Sequence, residues 1–438
     1  MPEAQPPLSS EPRNTDSHDG QSTLLWTVWF TYGAFYFCRT NISVAVPFLK
    51  GSLEDGGLGL TQDQVGYILG ATKIAYAAGQ LLNGQLSEKL SPRKLVAIGM
   101  LGTAVLNVAF GFGTAFYFLL FVWACNGYSQ SLGWTPCVRI VANWIPVRHR
   151  GKAIGLIGTG YQISASVTWL IASYAADSLG WRSAFWVSTA MIACAAIVML
   201  LFLEESPAGH GTRKDLHKDD VVENVLLTIS NPRLWLLGIS LGLLNATRYG
   251  FIDWGLSHLV DIGREANPAS TLQTASVFKE ALKYAVLPLG GIAGSLIAGW
   301  ATDRFFGSRR APVACLLLVT LGGLTLVYDS VARTSVPATV VLLGMIGFCI
   351  FGPQVLLVGT APADLAWKGT SAAAAGFVNC LGYIGAASGD VVTGLSLREF
   401  NWQLTIYLWA LWAFASAIAV GLLWNATAPV NNEPSSNS

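Results

Sequence analysis

Arg39 and Arg248 stand inside stretches that carry almost no other charge, at corresponding places in the two halves of the chain. A charged side chain at the centre of a bilayer costs about 2.5–3.5 kcal/mol on insertion scales, so it normally faces a cavity or a partner. No Asp or Glu lies in the apolar part of the first six such stretches, which leaves Arg39 without an obvious acid. Arg248 has Asp253 five residues on, a poor match to the three- and four-residue spacing of helix neighbours. Two guanidiniums that converge on a wet cavity without matched acids form an anion receptor, and their planar forks suit phosphate or carboxylate bidentately. Binding and transport, not covalent chemistry, is the chemistry such residues point to.

The elements that must position them are membrane helices. The 438 residues are 53% hydrophobic and 12% charged, with a mean hydropathy of +0.49, too apolar for an ordinary soluble protein. Segments long enough to cross about 30 Å of hydrocarbon as helix recur along the chain. They are expected at 24–49, 63–86, 94–112, 115–140, 151–173, 183–203, 234–262, 280–302, 311–328, 338–360, 371–397 and 403–424. Lys and Arg concentrate in the loops on the N-terminal side, among them Arg93, Lys94, Arg150, Arg213, Lys214, Arg309 and Arg310, so both termini are expected in the cytoplasm. The polar start of the chain has no basic region before a short apolar core, so no cleaved signal peptide is expected. The seven Cys all fall in apolar stretches without CxxC spacing, which suggests neither disulfides nor a metal site. The His residues form no catalytic constellation and no GxxxxGK[ST] sequence occurs, so neither an enzyme nor an ATP-driven pump is expected, and no cofactor.

The chain repeats itself at about half its length. Gly79 and Gly84 precede Glu88 and then Arg93-Lys94, and Gly294 and Gly299 precede Asp303 and then Arg309-Arg310. Arg150-Gly151 matches Lys368-Gly369, and Trp181 matches Trp402. The expected fold class is an all-α membrane protein of twelve transmembrane helices in two six-helix bundles related by a pseudo-twofold axis. The expected division is a disordered tail at 1–23, the first bundle at 24–203, a charged cytoplasmic linker at 204–232, the second bundle at 233–425 and a tail at 426–438. This plan resembles the major facilitator superfamily, whose two bundles rock about a central site. Glu88 and Arg93, with Asp303 and Arg309, are the expected cytoplasmic gate. Lys283 and Asp390 both fall in the outer part of the second bundle and are expected to form an ion pair, since neither tolerates bare burial. The alternative places Asp390 against an ammonium or hydroxyl of the cargo.

Three stretches carry a closer resemblance. Tyr36-Phe-Cys-Arg39-Thr-Asn-Ile-Ser-Val-Ala-Val-Pro47, Gln130-Ser-Leu-Gly-Trp-Thr-Pro-Cys-Val-Arg139 and Arg248-Tyr-Gly-Phe-Ile-Asp-Trp254 resemble signatures of the organophosphate:phosphate antiporters, joined by Phe351-Gly-Pro353 and Gly382-Tyr383. The resemblance implies exchange of a sugar phosphate or glycerol phosphate for inorganic phosphate, with Arg39 and Arg248 holding the phosphoryl group. Tyr32, Tyr36, Tyr76 and Tyr383 match aromatic pathway positions. Gln80 and Tyr161 stand where glycerol phosphate members carry a Lys and a His, and Lys73, two turns before Gln80, is expected to supply a third cation from a higher level. Lys283 departs from the acid of the family members. Proton coupling by side chains would need an acid in the pathway, for which Asp253 and Asp390 are the candidates. A proton-coupled organic-acid symporter and a non-transporting sensor on the same fold remain open alternatives. The expected surroundings are a lipid bilayer, in the bacterial plasma membrane, around a monomer that binds no nucleic acid.

Overall fold

The computed structural model describes residues 16–206, 226–267, 276–367 and 370–426, and every regular element among them is helical. The first span is two helices, α1 (Asp16–Ala34) and α2 (Ile42–Lys50), joined through a tight 3-10 turn at Phe35–Cys38. α3 (Gln62–Lys89), α4 (Pro92–Phe112), α5 (Phe116–Trp144), α6 (Val147–Leu179) and α7 (Ser183–Phe202) complete the first half. In the second half α8 (Pro232–Tyr249) passes through one π-helical turn, Gly250–Trp254, into α9 (Gly255–Ala266). α10 (Val277–Tyr284) and α11 (Val286–Phe305) make the eighth span and α12 (Arg310–Thr334) the ninth. α13 (Val336–Val355) runs through a second π turn, Leu356–Thr360, into α14 (Ala361–Leu365), and α15 (Ser371–Glu399) and α16 (Trp402–Gly421) end the described chain.

Local chemistry sets these boundaries. Ser91, Asn231, Ser276 and Asn401 each accept a backbone N–H in the first turn of the helix they precede, and Pro92 and Pro232 occupy a first helical position where no donor is needed. Thr61 and Gln64 cap α3 reciprocally. Gly180, at φ 88°, ends α6 in a conformation that favours glycine. α1 starts at Asp16, inside the stretch expected to be a tail. Within the expected linker and C-terminal tail, 207–225 and 427–438 lie outside the described residues.

The two halves pack alike. α3 lies on α5 as α11 lies on α13, α4 on α7 as α12 on α16, and α1 on α6 as α8 on α15. The repeated glycines explain one of these matches: a Cβ on Gly79 would meet Ser131 Oγ at 2.1 Å, and one on Gly294 would meet the Phe348 carbonyl oxygen at 2.2 Å. Large apolar side chains such as Leu101, Phe121, Leu201, Leu296 and Ile418 are exposed on the flanks, as lipid-facing residues are. By length and apolarity alone, eight described helical segments could cross a membrane. Spans one, two, four and seven are the ones outside that set. They carry Lys73, Gln130, Arg248 and Asp253, buried polar residues that lower their apolarity, and the protein is a multi-pass membrane protein.

The halves are clasped together at the end of the bundle away from the chain termini. Lys50 pairs with Asp261, which also accepts Trp402 Nε1 at 2.9 Å. Arg264 reaches Asp55 at 3.2 Å and Arg398 reaches Asp63 at 2.9 Å. Asp177 of α6 accepts the backbone N–H groups of Val277 and Phe278, both at 3.0 Å, and so caps the first turn of α10 from the opposite half. At the other end the contacts described for the expected gate are local. The expected gate residues there stay within their own halves: Arg93 donates to the Leu200 carbonyl oxygen, Asp303 pairs with Arg310 at 2.9 Å, and Arg309 donates to the Phe306 carbonyl oxygen. The Glu88 side chain lies outside the described residues. Of the expected gate partners, Asp303 thus takes Arg310 rather than Arg309, because Arg310 starts α12 one turn from the loop that Asp303 closes.

Candidate functional site

Breaks in two helices aim the arginines inward. Arg39 follows the 3-10 turn between α1 and α2, and Arg248 lies in the last turn of α8 just before the π turn. Each irregularity frees the backbone from the regular helical spiral at mid-membrane, where such departures commonly mark functional sites. Arg39 and Arg248, from opposite halves, line one central cavity.

Neither guanidinium meets a carboxylate among the described residues. Arg39 Nε donates to Gln130 Oε1 at 2.5 Å, and its Nη2 is buried without a partner. Gln130 in turn donates to the Cys38 carbonyl oxygen at 2.8 Å, which fixes the amide against the break in span one. Arg248 is 4% exposed, and its Nε has no hydrogen-bond partner. Aromatic faces take the place of acids. Arg39 lies 4.5 Å from the centre of Tyr36 and 4.6 Å from Tyr76; Arg248 lies 4.8 Å from Tyr249 and 5.0 Å from Phe351. Tyr161 bridges the two clusters, stacked on Tyr36 at 4.8 Å and 6.3 Å from Phe351. Tyr76 and Tyr383 meet across the halves at 4.7 Å. A ring face holds a cation in place yet leaves its N–H groups available, so this arrangement can orient two guanidiniums without neutralising them.

Seven of the nine expected binding residues line this cavity: Arg39, Arg248, Lys73, Tyr36, Tyr76, Tyr161 and Tyr383. Tyr32 stands behind it, packed 4.8 Å from Trp134 and 6.0 Å from Tyr36. Gln80 is tied to α5, donating to the Ser131 carbonyl oxygen at 3.3 Å and accepting from Thr135 Oγ1 at 3.1 Å. Gln130, Tyr249 and Phe351 line the cavity without having been singled out. All three sit in the quoted motifs, Tyr249 directly beside Arg248, and that membership was the available signal.

The remaining charges pair otherwise than expected. Lys73 binds Asp253 and lies 2.7 Å from Asp390, so it is no free third cation. Lys283 meets Glu280, one turn away on α10, at 2.6 Å, and the expected Lys283–Asp390 pair does not form. The reason is packing. α15 approaches α3 where glycines leave room: a Cβ on Gly66 would meet the Asp390 carbonyl oxygen at 2.7 Å, and one on Gly70 the Ala387 carbonyl oxygen at 3.0 Å. That contact turns Asp390 to Lys73 across the two halves, while α10 ends at Tyr284 and keeps Lys283 with its own acid.

Comparison with known proteins bears on the fold and the family. The family model described as Major Facilitator Superfamily matches residues 28–278. A glycerol-3-phosphate transporter of Bacillus subtilis is 26% identical over 91% of this chain and 91% of its own length. The membrane sensor protein UhpC of Escherichia coli is 27% identical, covering 93% and 92%. A probable hexose phosphate transport protein of Chlamydia muridarum is 26% identical, covering 87% and 86%. Among solved structures, the nucleoside transporter NupG superposes with a TM-score of 0.71 at 13% identity, covering 92% of this chain and 99% of that one. A bacterial homologue of the lysosomal transporter Spinster, inward-facing and unoccupied, gives 0.68 at 16% identity, covering 96% of each chain. The relatives are consistent with the organophosphate:phosphate antiporters that the sequence resembles, and they are transport or sensor proteins, not enzymes. With the two-bundle fold and the family model both covering more than half of its length, the chain belongs to the Major Facilitator Superfamily.

Proposed function

We propose that this protein is a secondary transporter that exchanges a phosphorylated small organic anion, of the sugar phosphate or glycerol phosphate type, for inorganic phosphate. The observation that carries the reading is the pair of guanidiniums from opposite halves, facing one cavity with no carboxylate partner among the described residues. Two uncompensated charges match a phosphate dianion, and aromatic rings offer the organic part an apolar wall with hydroxyl donors. The names of the curated relatives support the same class of cargo. With both termini cytoplasmic, in a bacterial plasma membrane, the clasped end is the outer face and the molecule is inward-facing.

Exchange follows from electrostatics. The empty site must carry two buried, unpaired cations through a closed state, whereas a bound dianion offsets them. Only the loaded carrier crosses readily. The test is counterflow in proteoliposomes: labelled phosphate should leave rapidly when glycerol 3-phosphate or a hexose 6-phosphate is outside, and slowly against buffer alone. Equal rates in the two conditions would reject exchange. The kinship to UhpC, a sensor, favours a second reading in which the site binds the same anion without moving it. Binding measured in detergent without any counterflow would support that one.

A further inference from the structure

The cluster formed by Lys73, Asp253 and Asp390 holds one ammonium against two carboxylates, at the inner limit of the outer seal. All three are buried, Lys73 to 7%, Asp253 to 3% and Asp390 to 0% exposure. α3 brings Lys73 to the group, and the π turn of span seven brings Asp253. From α8 comes Tyr249, whose ring lies 4.7 Å from the Lys73 ammonium, and from α11's neighbour α10 comes Tyr284, whose hydroxyl donates to the Phe251 carbonyl oxygen. α16 turns Trp409 Nε1 to Thr393 at 2.9 Å and contains no charged residue. Arg248 forms no ion pair with either acid, and Arg398, two turns beyond Asp390, is held by Asp63 and Glu399. No second cation therefore balances the cluster among the described residues.

With one ammonium against two carboxylates, the fully ionised cluster leaves one negative charge uncompensated between packed helices, which is strongly unfavourable. We propose that the Lys73–Asp253–Asp390 cluster is a proton-binding site, occupied by one proton when the outer face is closed. In chemical terms, one carboxylate of the pair accepts a proton from hydronium at the outer side and leaves water, with the other carboxylate staying ionised against Lys73. Lys73 belongs to one half and both acids to the other, so opening the outer face separates them and hydrates all three. The acids then ionise and the proton is released. Closed and open forms thus differ by one proton, and acid favours closure. With that proton in place the cluster is neutral, and the two guanidiniums alone remain to balance a dianion.

The first test is infrared spectroscopy on the purified full-length protein in lipid nanodiscs at neutral pH. A carboxylic-acid C=O band that shifts in heavy water and is lost in Asp390→Asn or in Asp253→Asn is expected. Absence of any such band in the wild-type protein, which needs no variant to fold, overturns the proposal. The second test places spin labels at Leu53 and Phe400, exposed residues in the loops at the outer ends of the two halves, with native cysteines replaced. The ratio of closed to open form should rise by up to about tenfold per unit of falling pH, the limit for one proton, and should be flat in Asp390→Asn. A pH-independent ratio in the unsubstituted cluster also overturns it. Neither readout uses a substrate, so failure here leaves the transport reading untouched, and failed counterflow leaves this one untouched.

Discussion

A guanidinium and an ammonium carry the same charge, yet in the proposed exchange the shape of the donor group at Arg39 and Arg248 decides how an anion is met. Each guanidinium is steered by ring faces, and Arg39 in addition by Gln130, so that its remaining N–H groups can meet an anion together. Arg39→Lys or Arg248→Lys retains the charge and loses the fork. Loss of a charged hydrogen bond of about 1.5–3 kcal/mol should lower phosphate counterflow by roughly 10- to 160-fold, read as initial rates in proteoliposomes at matched protein content. Gln130 is a positioning residue. Gln130→Leu should weaken apparent affinity for phosphate by about tenfold, as the loss of one such bond implies, while leaving the thermal unfolding of the detergent-purified protein within a few degrees. An unchanged affinity would show that Tyr36 and Tyr76 suffice to hold Arg39. The arginines were legible in the sequence because a charge in an apolar stretch is conspicuous. Their steering groups were not, since Gln130, Tyr249 and Phe351 are unremarkable residue types whose role appears only when helices from both halves meet.

At the scale of the helix, irregularity is what the site is built on. Span one breaks at Phe35–Cys38 and span seven inserts a π turn at Gly250–Trp254, and each break places a charged residue beside the cavity. The insertion in span seven also decides where Asp253 goes. A poor spacing to Arg248 could be read from the sequence, but the acid's partner, Lys73, lies on another helix of the other half. Helix ends matter equally in the outer seal, where Asp177 of α6 caps α10 across the interface. Removal of a helix cap costs about 0.5–2 kcal/mol. Asp177→Ala should therefore raise the open-to-closed ratio of the outer face by roughly 2- to 30-fold, measured by the distance between labels at Leu53 and Phe400. No change in that distribution would show that the cap serves α10 alone and not the closed state.

The whole molecule is two similar bundles held by a charged seam at one end. Lys50, Asp55 and Asp63 of the first half meet Asp261, Arg264 and Arg398 of the second, so signs alternate across the gap. Part-exposed pairs of this kind weaken in salt, because the Debye length falls from about 10 Å at 0.1 M to about 3 Å at 1 M. Raising the salt concentration should shift the labelled outer ends toward the open form, and Arg398→Ala should reduce that shift. A distribution insensitive to salt would assign the closure to helix packing, for which the close α3–α15 contact at Gly66 and Gly394 is the candidate.

Hydropathy and the half-length repeat determined the helical class and the two-bundle plan, and two isolated arginines pointed to the proposed anion-binding centre, because each is a statement about what a single helix must do in lipid. Pairing was a different matter. Lys283 and Asp390 looked like partners by depth, and Lys73 looked like a spare cation, until glycine-lined contacts between α3 and α15 brought Asp390 to Lys73. Depth along a helix follows from its sequence, whereas rotation and the identity of the facing helix follow from packing between distant segments, which a linear chain does not display.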